Sequence, residues 1–297
     1  MIHFRKANFL IVGLARNCES TINKDIFSID QAFSLSGSRS WLIIESDSND
    51  NTLKNLNTLK HEFNLRVISL GNLINEYPKR TERIAVCRNK YVKEIRTNQL
   101  YKDVDYVVVV DLDGVNANLK KSCVEHCWNL NIAWDVCFAN QSYLYYDIWA
   151  LRHPFWSPND CYEQEKFLIQ TGLSEFKAKY LAVYSKMKKI NIKNQPIKVQ
   201  SAFGGLGIYK RNFFNLGRYE GIDKNGNEVC EHVTFHMNRP ESHNLYIVPS
   251  LINCGINDHS RYAKPINLIL IYFITLFVSF NTLAKIRYFF KKLKLSS

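Results

Sequence analysis

The sequence predicts an α/β protein with a Rossmann-like, mostly parallel central sheet and flanking helices. Apolar runs typical of strands alternate with helix-spaced segments from Phe9 to Val110, as in parallel sheets with right-handed crossovers. Four valines, 107–110, then lead into two aspartates one residue apart, which places carboxylates where open α/β sheets bind ligands. With 46% hydrophobic and 22% charged residues in 297, the composition indicates a packed core.

The first half supplies four predicted strands and three predicted helices. Strands are indicated by short β-branched and aliphatic runs, and helices by apolar residues at helical spacing. No Gly-x-Gly-x-x-Gly follows the first strand, which argues against a dinucleotide-binding fold of the dehydrogenase type. In chain order these elements are the strand Phe9–Gly13, helix 20–36, strand Trp41–Glu45, helix 51–63, strand Leu65–Leu70, helix Arg80–Thr97 and strand 106–110.

The second half is less regular, and we expect it to complete the same domain. Its aromatic, proline-containing stretch Tyr143–Asp160 is typical of a loop that shapes a pocket. The other predicted elements are a strand Trp134–Ala139, a helical region 161–189, a strand Val199–Tyr209 broken by glycines, a turn Gly221–Asn227 and a short strand Leu245–Pro249. These assignments predict one globular domain over residues 1–262, with halves at 1–115 and 116–262, and a separate segment over 263–297.

Net charge and cysteine content limit the kinds of partner, metal site and cellular compartment that we expect for the chain. A formal net charge of +12 suits an anionic partner, but no nucleic-acid-binding module is recognisable, so we expect no nucleic acid. Eight cysteines are scattered without a Cys-x-x-Cys pair, which argues against a zinc site and favours free thiols in a reducing compartment. The opening residues do not form a secretory signal, so a cytoplasmic setting is expected.

The C-terminal segment differs from the rest. Pro265–Ala284 is twenty residues without a charge, roughly the length that spans a bilayer. Polar residues near one helical face also allow a helix lying in the membrane plane, and a buried core helix is the third reading. A basic tail, Lys285–Ser297, follows at once, which suits anionic lipid. We therefore expect attachment to the cytoplasmic side of a membrane.

The motif Asp111-Leu-Asp113-Gly114 fits two enzyme classes. In GT-A glycosyltransferases, an Asp-x-Asp pair holds a divalent metal, Mn²⁺ or Mg²⁺, that neutralises the diphosphate of a sugar nucleotide. In haloacid-dehalogenase-like phosphatases, Asp111 would be the nucleophile and Asp113 the general acid. About a hundred residues of α/β structure precede the motif and no later Gly-Asp-x-x-x-Asp motif is evident. Both observations favour the transferase.

Six pieces of the sequence follow one another in an informative order: Gly13–Cys18, Glu45–Thr52, Arg83–Asn89, Asp111-Leu-Asp113, Tyr146–Arg152 and Phe203–Tyr209. Together they resemble the cryptococcal capsule-associated α-1,3-mannosyltransferase family and related GT-A polysaccharide transferases. The resemblance implies a GT-A fold over residues 1–262. The chain departs from that fungal family at its ends, because those proteins usually carry an N-terminal membrane segment, whereas the apolar segment of this chain is C-terminal.

Donor-site residues follow from the strand ends and from the helix before the motif. Carboxylates at the end of the second strand either contact a base or ribose or cap the turn. One of Arg80, Arg83 and Arg88 is expected to clamp phosphates, the others lying on a solvated helix face. The predicted nucleotide-sugar-binding residues are Arg16, Asn17, Glu45, Asp47, Arg83, Arg88, Asn89 and Asp111.

The resemblance also implies acceptor, catalytic and metal residues. Acceptor contacts are expected from Trp149, Arg152, Gly204 and Gly205, although Trp149 fits the core equally well. Members of the GT-A class often place an acidic pair where this chain has Glu231 and His232. Glu231 is the first choice as general base, or an acceptor contact in a retaining enzyme, and His232 the alternative. His259 is expected to join Asp111 and Asp113 as a metal ligand.

These expectations predict a metal-dependent glycosyltransferase that moves a sugar from a nucleotide donor to a glycan or lipid-linked acceptor in capsule- or lipopolysaccharide-type assembly. The enzyme alternative is the phosphatase with Asp111 as its nucleophile. The non-enzyme alternative is a basic membrane or nucleic-acid-binding protein, which the net charge of +12 would suit.

Overall fold

A computed structural model describes residues 2–238, 243–280, 282, 283 and 285. Eight strands form one sheet in the order β3-β2-β1-β4-β7-β5-β8-β6. The pairs β1–β2, β2–β3, β1–β4 and β5–β8 are parallel, whereas β7 and β6 run antiparallel to their neighbours. The strands are β1 Asn8–Ala15, β2 Ser38–Glu45, β3 Leu65–Ser69, β4 Tyr106–Asp111, β5 Val136–Gln141, β6 Ile197–Val199, β7 Leu206–Lys210 and β8 Leu245–Cys254.

Helices flank the sheet, and the clearest apolar stripe among them is that of α1. On α1, Ile22, Ile26 and Ile29 are fully buried at the spacing of one helical face. The predicted helix over 161–189 divides into α5 and α6 where Gly172 has φ +96°. The α-helices are α1 Ile22–Ala32, α2 Thr52–Leu59, α3 Arg80–Thr97, α4 Lys121–Glu125, α5 Cys161–Gln170, α6 Glu175–Ala182, α7 Glu231–Met237 and α8 Pro265–Thr275.

The prediction of a Rossmann-like α/β half is confirmed, because β3, β2, β1 and β4 are parallel neighbours joined by helices. Valines 107–110 of β4 are fully buried, as a strand covered on both faces should be.

One second-half prediction was wrong. Val199–Tyr209 is not a single interrupted strand: β6 lies at the sheet edge beside β8, while β7 lies between β4 and β5. Gly204 and Gly205 adopt φ +68° and +86°, a left-handed backbone that turns the chain from one strand to the other. The strand beginning at Leu245 extends to Cys254, five residues beyond the prediction.

The predicted twenty-residue apolar helix at the C-terminus is shorter in the structure. Of the apolar segment Pro265–Ala284, only Pro265–Thr275 forms α8, and the basic tail after Lys285 lies outside the described residues. Within the part of the chain that the structure describes, no helix has the length and apolarity needed to cross a membrane.

Candidate active site

Most of the predicted site residues line one cleft at the carboxyl edge of the parallel strands. β2, β1 and β4 are neighbours that run in the same direction, so the residues after each strand meet there. The segment before β7, the loop after β5 and the start of α7 form the opposite wall. The cleft encloses about 570 Å³, a volume typical of small-molecule sites. Its polar lining includes Arg16, Asn17, Asp47, Arg80, Arg83, Arg88, Asp111, Asp113, Asp147, Glu231, His232 and His259.

Asp111 and Asp113 both face this cleft, as predicted. Asp111 ends β4, and 36% of its side chain stays accessible. Desolvation in the cleft, together with the like charge of Asp113, raises the pKa of Asp111 to about 8. Asp113 is exposed. The like charge of Asp113 beside Asp111 is an electrostatic repulsion that a bound cation would relieve.

The loop that carries these carboxylates is held by α1, a contact that sequence reasoning missed. Asp25 accepts a hydrogen bond from the Gly114 backbone N–H at 2.9 Å, and the Thr21 hydroxyl donates to the Leu112 carbonyl at 3.0 Å. Asp25 is 1% exposed, so its carboxylate reaches this loop from inside the fold. The sequence signal that could have revealed this contact was an acidic residue, Asp25, on the helix face that otherwise carries Ile22, Ile26 and Ile29.

The donor set fits a divalent cation at Asp111 and Asp113, because hard cations prefer carboxylate oxygens. His259, the predicted third ligand, is an exposed residue lining the same cleft, and its ring stacks on that of Tyr146 with 5.0 Å between centroids. No group of three or more possible metal ligands lies together within the described residues. The structure therefore brings the three predicted ligands to one cleft without assembling them into a coordination shell.

The arginines of the cleft differ in their freedom to bind a ligand. Arg83 is buried and donates to the carbonyls of Tyr77 and Pro78 at 2.6 and 2.8 Å. Arg88 is also buried, with its Nε 3.0 Å from Glu231, so neither lies on the solvated helix face expected as the alternative. Arg16 and Arg80 are exposed along the same cleft.

At the ends of β1 and β2, two polar residues line the cleft with left-handed backbones. Asn17 has φ +47° and Asp47 has φ +56°, conformations that cost free energy in non-glycine residues and cluster at functional sites. One carboxylate oxygen of Asp47 accepts from the backbone of Leu73 and Ile74 at 2.8 and 3.0 Å. The other is buried without a hydrogen-bond partner among the described residues, so it can accept a hydrogen bond from a ligand.

Two residues predicted to contact the donor, Glu45 and Asn89, lie outside the cleft lining. Glu45 is 3% exposed and accepts from the Ser48 backbone N–H at 3.1 Å and the Ser69 hydroxyl at 2.5 Å, which is the capped-turn alternative. Asn89 exchanges hydrogen bonds with the Tyr219 backbone at 2.8 and 2.9 Å. Both side chains form hydrogen bonds with neighbouring segments of the chain, and neither lines the cleft.

On the acceptor side, Trp149 lines the cleft and Arg152 does not. Arg152 is buried and pairs with Asp160 at 2.8 Å, and Asp160 also accepts from the Trp149 indole N–H at 3.0 Å. The structure gives no support to the predicted acceptor role of Arg152, because its guanidinium binds Asp160 and the Trp149 carbonyl within the loop after β5.

The glycine pair also has a packing explanation. A Cβ on Gly205 would stand 2.6 Å from Val115 Cγ2, and one on Gly204 would stand 3.0 Å from the Ala139 carbonyl. Neither glycine lines the cleft. Their lack of a side chain lets β4, β5 and β7 close on one another, and only Phe203 of this turn reaches the cleft.

Glu231 and His232 both open α7 and face the cleft. His232 stacks on Phe203 with 3.8 Å between centroids, and neither ring nitrogen has a hydrogen-bond partner among the described residues. Burial, then the charge of Arg88, lowers the pKa of His232 well below its usual value, so the ring is neutral near pH 7. The Glu231 carboxylate is 3.0 Å from the Arg88 Nε.

Asp147 is a cleft residue that sequence reasoning did not single out. It accepts from the backbone N–H groups of Gly204 at 2.9 Å and Ala150 at 3.2 Å. Burial raises the pKa of Asp147 above its usual value. An acid among the aromatic residues after β5 was the signal available. Asp147 joins the loop after β5 to the turn before β7.

No family model and no curated protein matches the chain. Among solved structures, TarS from S. aureus in complex with UDP-GlcNAc is 12% identical with a TM-score of 0.45, covering 91% of this chain and 66% of that one. Mannosyltransferase PcManGT from Pyrobaculum calidifontis in complex with GDP-Man and Mn²⁺ is 11% identical with a TM-score of 0.45, covering 84% and 56%. Glucosyl-3-phosphoglycerate synthase from Mycobacterium tuberculosis in complex with UDP is 13% identical with a TM-score of 0.40, covering 89% and 75%.

The chain spans 57%, 62% and 66% of three TarS structures. At identities of 11–13% and TM-scores of 0.40–0.45, these likenesses do not decide what the chain does.

Proposed function

We propose that the chain is a metal-dependent glycosyltransferase of the GT-A type, which moves a sugar from a nucleotide donor to a glycan or lipid-linked acceptor. The observation that carries the proposal is one cleft that joins a strand-end carboxylate pair, Asp111 and Asp113, with the exposed cations Arg16 and Arg80. The carboxylates suit a divalent cation and the arginines suit phosphate oxygens, so together they suit a metal-bound diphosphate.

The remaining residues fit distinct parts of such a substrate. The unpartnered carboxylate oxygen of Asp47 suits N–H or hydroxyl donors of the nucleoside. Trp149 offers apolar ring surface on the opposite wall, and Glu231 on the same wall would be the base for the acceptor hydroxyl. When bound at Asp111 and Asp113, a divalent cation would stabilise the charge that develops on the departing diphosphate.

The proposal is tested by thermal unfolding of the full chain with UDP, GDP or CMP, each with and without Mn²⁺. A ligand at about one hundred times its Kd stabilises the native state by about 2.7 kcal/mol. We expect a rise in Tm with one nucleoside diphosphate that depends on Mn²⁺, followed by transfer from the matching nucleotide sugar. Release of inorganic phosphate from simple esters, without any nucleotide-dependent shift, would favour the phosphatase with Asp111 as nucleophile.

We also propose that α8 is a membrane-contacting helix on the cytoplasmic side, which suits lipid-linked acceptors in capsule- or lipopolysaccharide-type assembly. Ile269, Leu270 and Phe273 are 51%, 53% and 57% exposed, an apolar surface unusual on a protein bathed by water. Arg261 and Lys264 lie just before the helix. Cations beside apolar side chains suit the surface of an anionic bilayer.

Replacing Leu270 and Phe273 by aspartate is expected to weaken binding to vesicles that contain anionic lipid by about a hundredfold or more, because each buried apolar side chain contributes about 1.5–3 kcal/mol. Co-sedimentation with anionic and zwitterionic vesicles measures the effect. Leu100→Asp, at a site 74% exposed in a different part of the chain, is the matched control. Equal binding by all variants would contradict the proposal.

A further inference from the structure

One arginine contacts an acid from each half of the domain. Arg88 lies on α3, 4% exposed, with its Nε 3.0 Å from Glu231 and its Nη2 3.6 Å from Asp111. Asp111 ends β4, whereas Glu231 begins α7 on the opposite wall of the cleft. These two acids are separated by 120 positions in the sequence, and the same guanidinium holds both.

The guanidinium is itself fixed on its remaining sides. Its Nη1 donates to the Tyr91 hydroxyl at 3.3 Å, and that hydroxyl donates to Tyr219 at 3.0 Å. The rings of Phe203 and Tyr219 lie 5.4 and 5.6 Å from the guanidinium carbon, within the range of cation–π attraction. Arg88 therefore occupies a preformed position before any substrate arrives.

We propose that Arg88 is a positioning residue, which fixes the base Glu231 relative to the metal-binding carboxylate Asp111 and does not bind the donor phosphates. This inference rests on the proposed function. Its donors already face two carboxylates and a hydroxyl, and turning the guanidinium toward a phosphate would leave the buried Glu231 charge uncompensated, which is strongly unfavourable. Phosphate binding falls instead to Arg16 and Arg80.

A fixed distance between these acids matters because transfer needs the acceptor hydroxyl in line with the donor carbon. Glu231 is on the acceptor wall and Asp111 on the donor wall, so their separation sets the gap in which the two substrates meet. The planar fork of arginine reaches both acids with defined angles, whereas lysine offers one compact charge. A lysine at position 88 would keep the positive charge but lose the planar guanidinium, so we expect it to lower kcat.

The test is Arg88→Lys, compared with Arg80→Gln and with Arg218→Lys, whose exposed side chain lies outside the cleft lining. For Arg88→Lys we expect kcat to fall by about a hundredfold, as for a misplaced catalytic group, with the calorimetric Kd for the nucleoside diphosphate and Mn²⁺ within about threefold of wild type. For Arg80→Gln the loss should fall mainly on donor KM and Kd. Arg218→Lys should match wild type.

A double-mutant cycle gives a second readout. If Arg88 acts through Glu231, Arg88→Lys should lower kcat much less in a Glu231→Gln background than alone, because residues that act as a unit are not additive. If Arg88→Lys does not fold, the double variant Arg88→Gln/Glu231→Gln, which removes opposite charges together, is compared with Glu231→Gln alone. Equal kcat in that pair supports the proposal, and a further large loss overturns it.

The outcomes separate this inference from the proposed function. A tenfold or larger rise in diphosphate Kd for Arg88→Lys, with kcat retained, would make Arg88 a phosphate ligand and overturn the inference alone. If Arg88→Lys lowers Tm, and kcat returns to the wild-type value when it is measured well below the Tm of the variant, Arg88 is only structural. A folded wild-type chain that transfers no sugar from any donor would remove the proposed function, and this inference with it.

Discussion

Replacing Asp113 by asparagine is expected to lower sugar transfer by about a thousandfold, the scale on which a lost electrostatic contact to a transition state acts. Asparagine keeps the size of the side chain but removes the charge that would hold a divalent cation at the end of β4. Asp113 is exposed, and substitutions at such positions usually change the free energy of unfolding by about 0.5 kcal/mol or less. The fold should therefore survive.

Initial rates over a Mn²⁺ titration measure the effect, together with the Tm of the same preparations. We expect the variant to need far more Mn²⁺ and to lose the Mn²⁺-dependent part of the nucleotide-induced rise in Tm. Asp103→Asn, at an exposed position on the chain before β4, makes the same chemical change away from the cleft and should behave as wild type. Full activity in a folded Asp113→Asn protein would rule out the metal role of this motif.

The first half of the fold was predictable because local pattern and tertiary role agree there. Buried parallel strands need continuous apolar residues, and valines 107–110 supply them. The second half was harder, because β7 lies between β4 and β5, far from its sequence neighbour β6. Nothing local in Val199–Tyr209 encodes that choice of partner, which depends on how the glycine turn packs.

The sequence could place several candidate residues at the cleft because they follow a strand end, but it could not place those whose position depends on a distant partner, such as Glu45, which accepts from Ser69. Asp47, Asp111 and Asp113 reach the cleft, as carboxylates after parallel strands should. Arg152 has the charge of a ligand-binding residue, but its guanidinium forms an ion pair with Asp160. Asp147 lies in the matching piece Tyr146–Arg152 but was not singled out there, because only the folded loop brings it to the cleft. Hydrogen-bond partners distant in sequence decide these cases.

Replacing Glu231 by glutamine is the second change with a large expected effect, a fall in kcat of about 10²–10⁴-fold, the range that a general base contributes. Glutamine keeps the side-chain length, and its carbonyl oxygen can still accept from the Arg88 Nε that lies 3.0 Å from Glu231. The donor should bind as before, so the Kd for the nucleoside diphosphate is expected to stay near that of wild type. Glu163→Gln, at a side chain 62% exposed on α5, is the matched control.

His232→Phe decides between the two candidate bases, because phenylalanine keeps a ring against Phe203, 3.8 Å away between centroids, while removing both nitrogens. If Glu231 is the base, His232→Phe should lower kcat less than Glu231→Gln does. The reverse order would assign proton removal to the neutral imidazole of His232. A Glu231→Gln enzyme with a raised acceptor KM and a nearly normal kcat would instead make Glu231 an acceptor contact, as expected of a retaining enzyme. Measuring kcat and acceptor KM for both variants therefore separates the three roles.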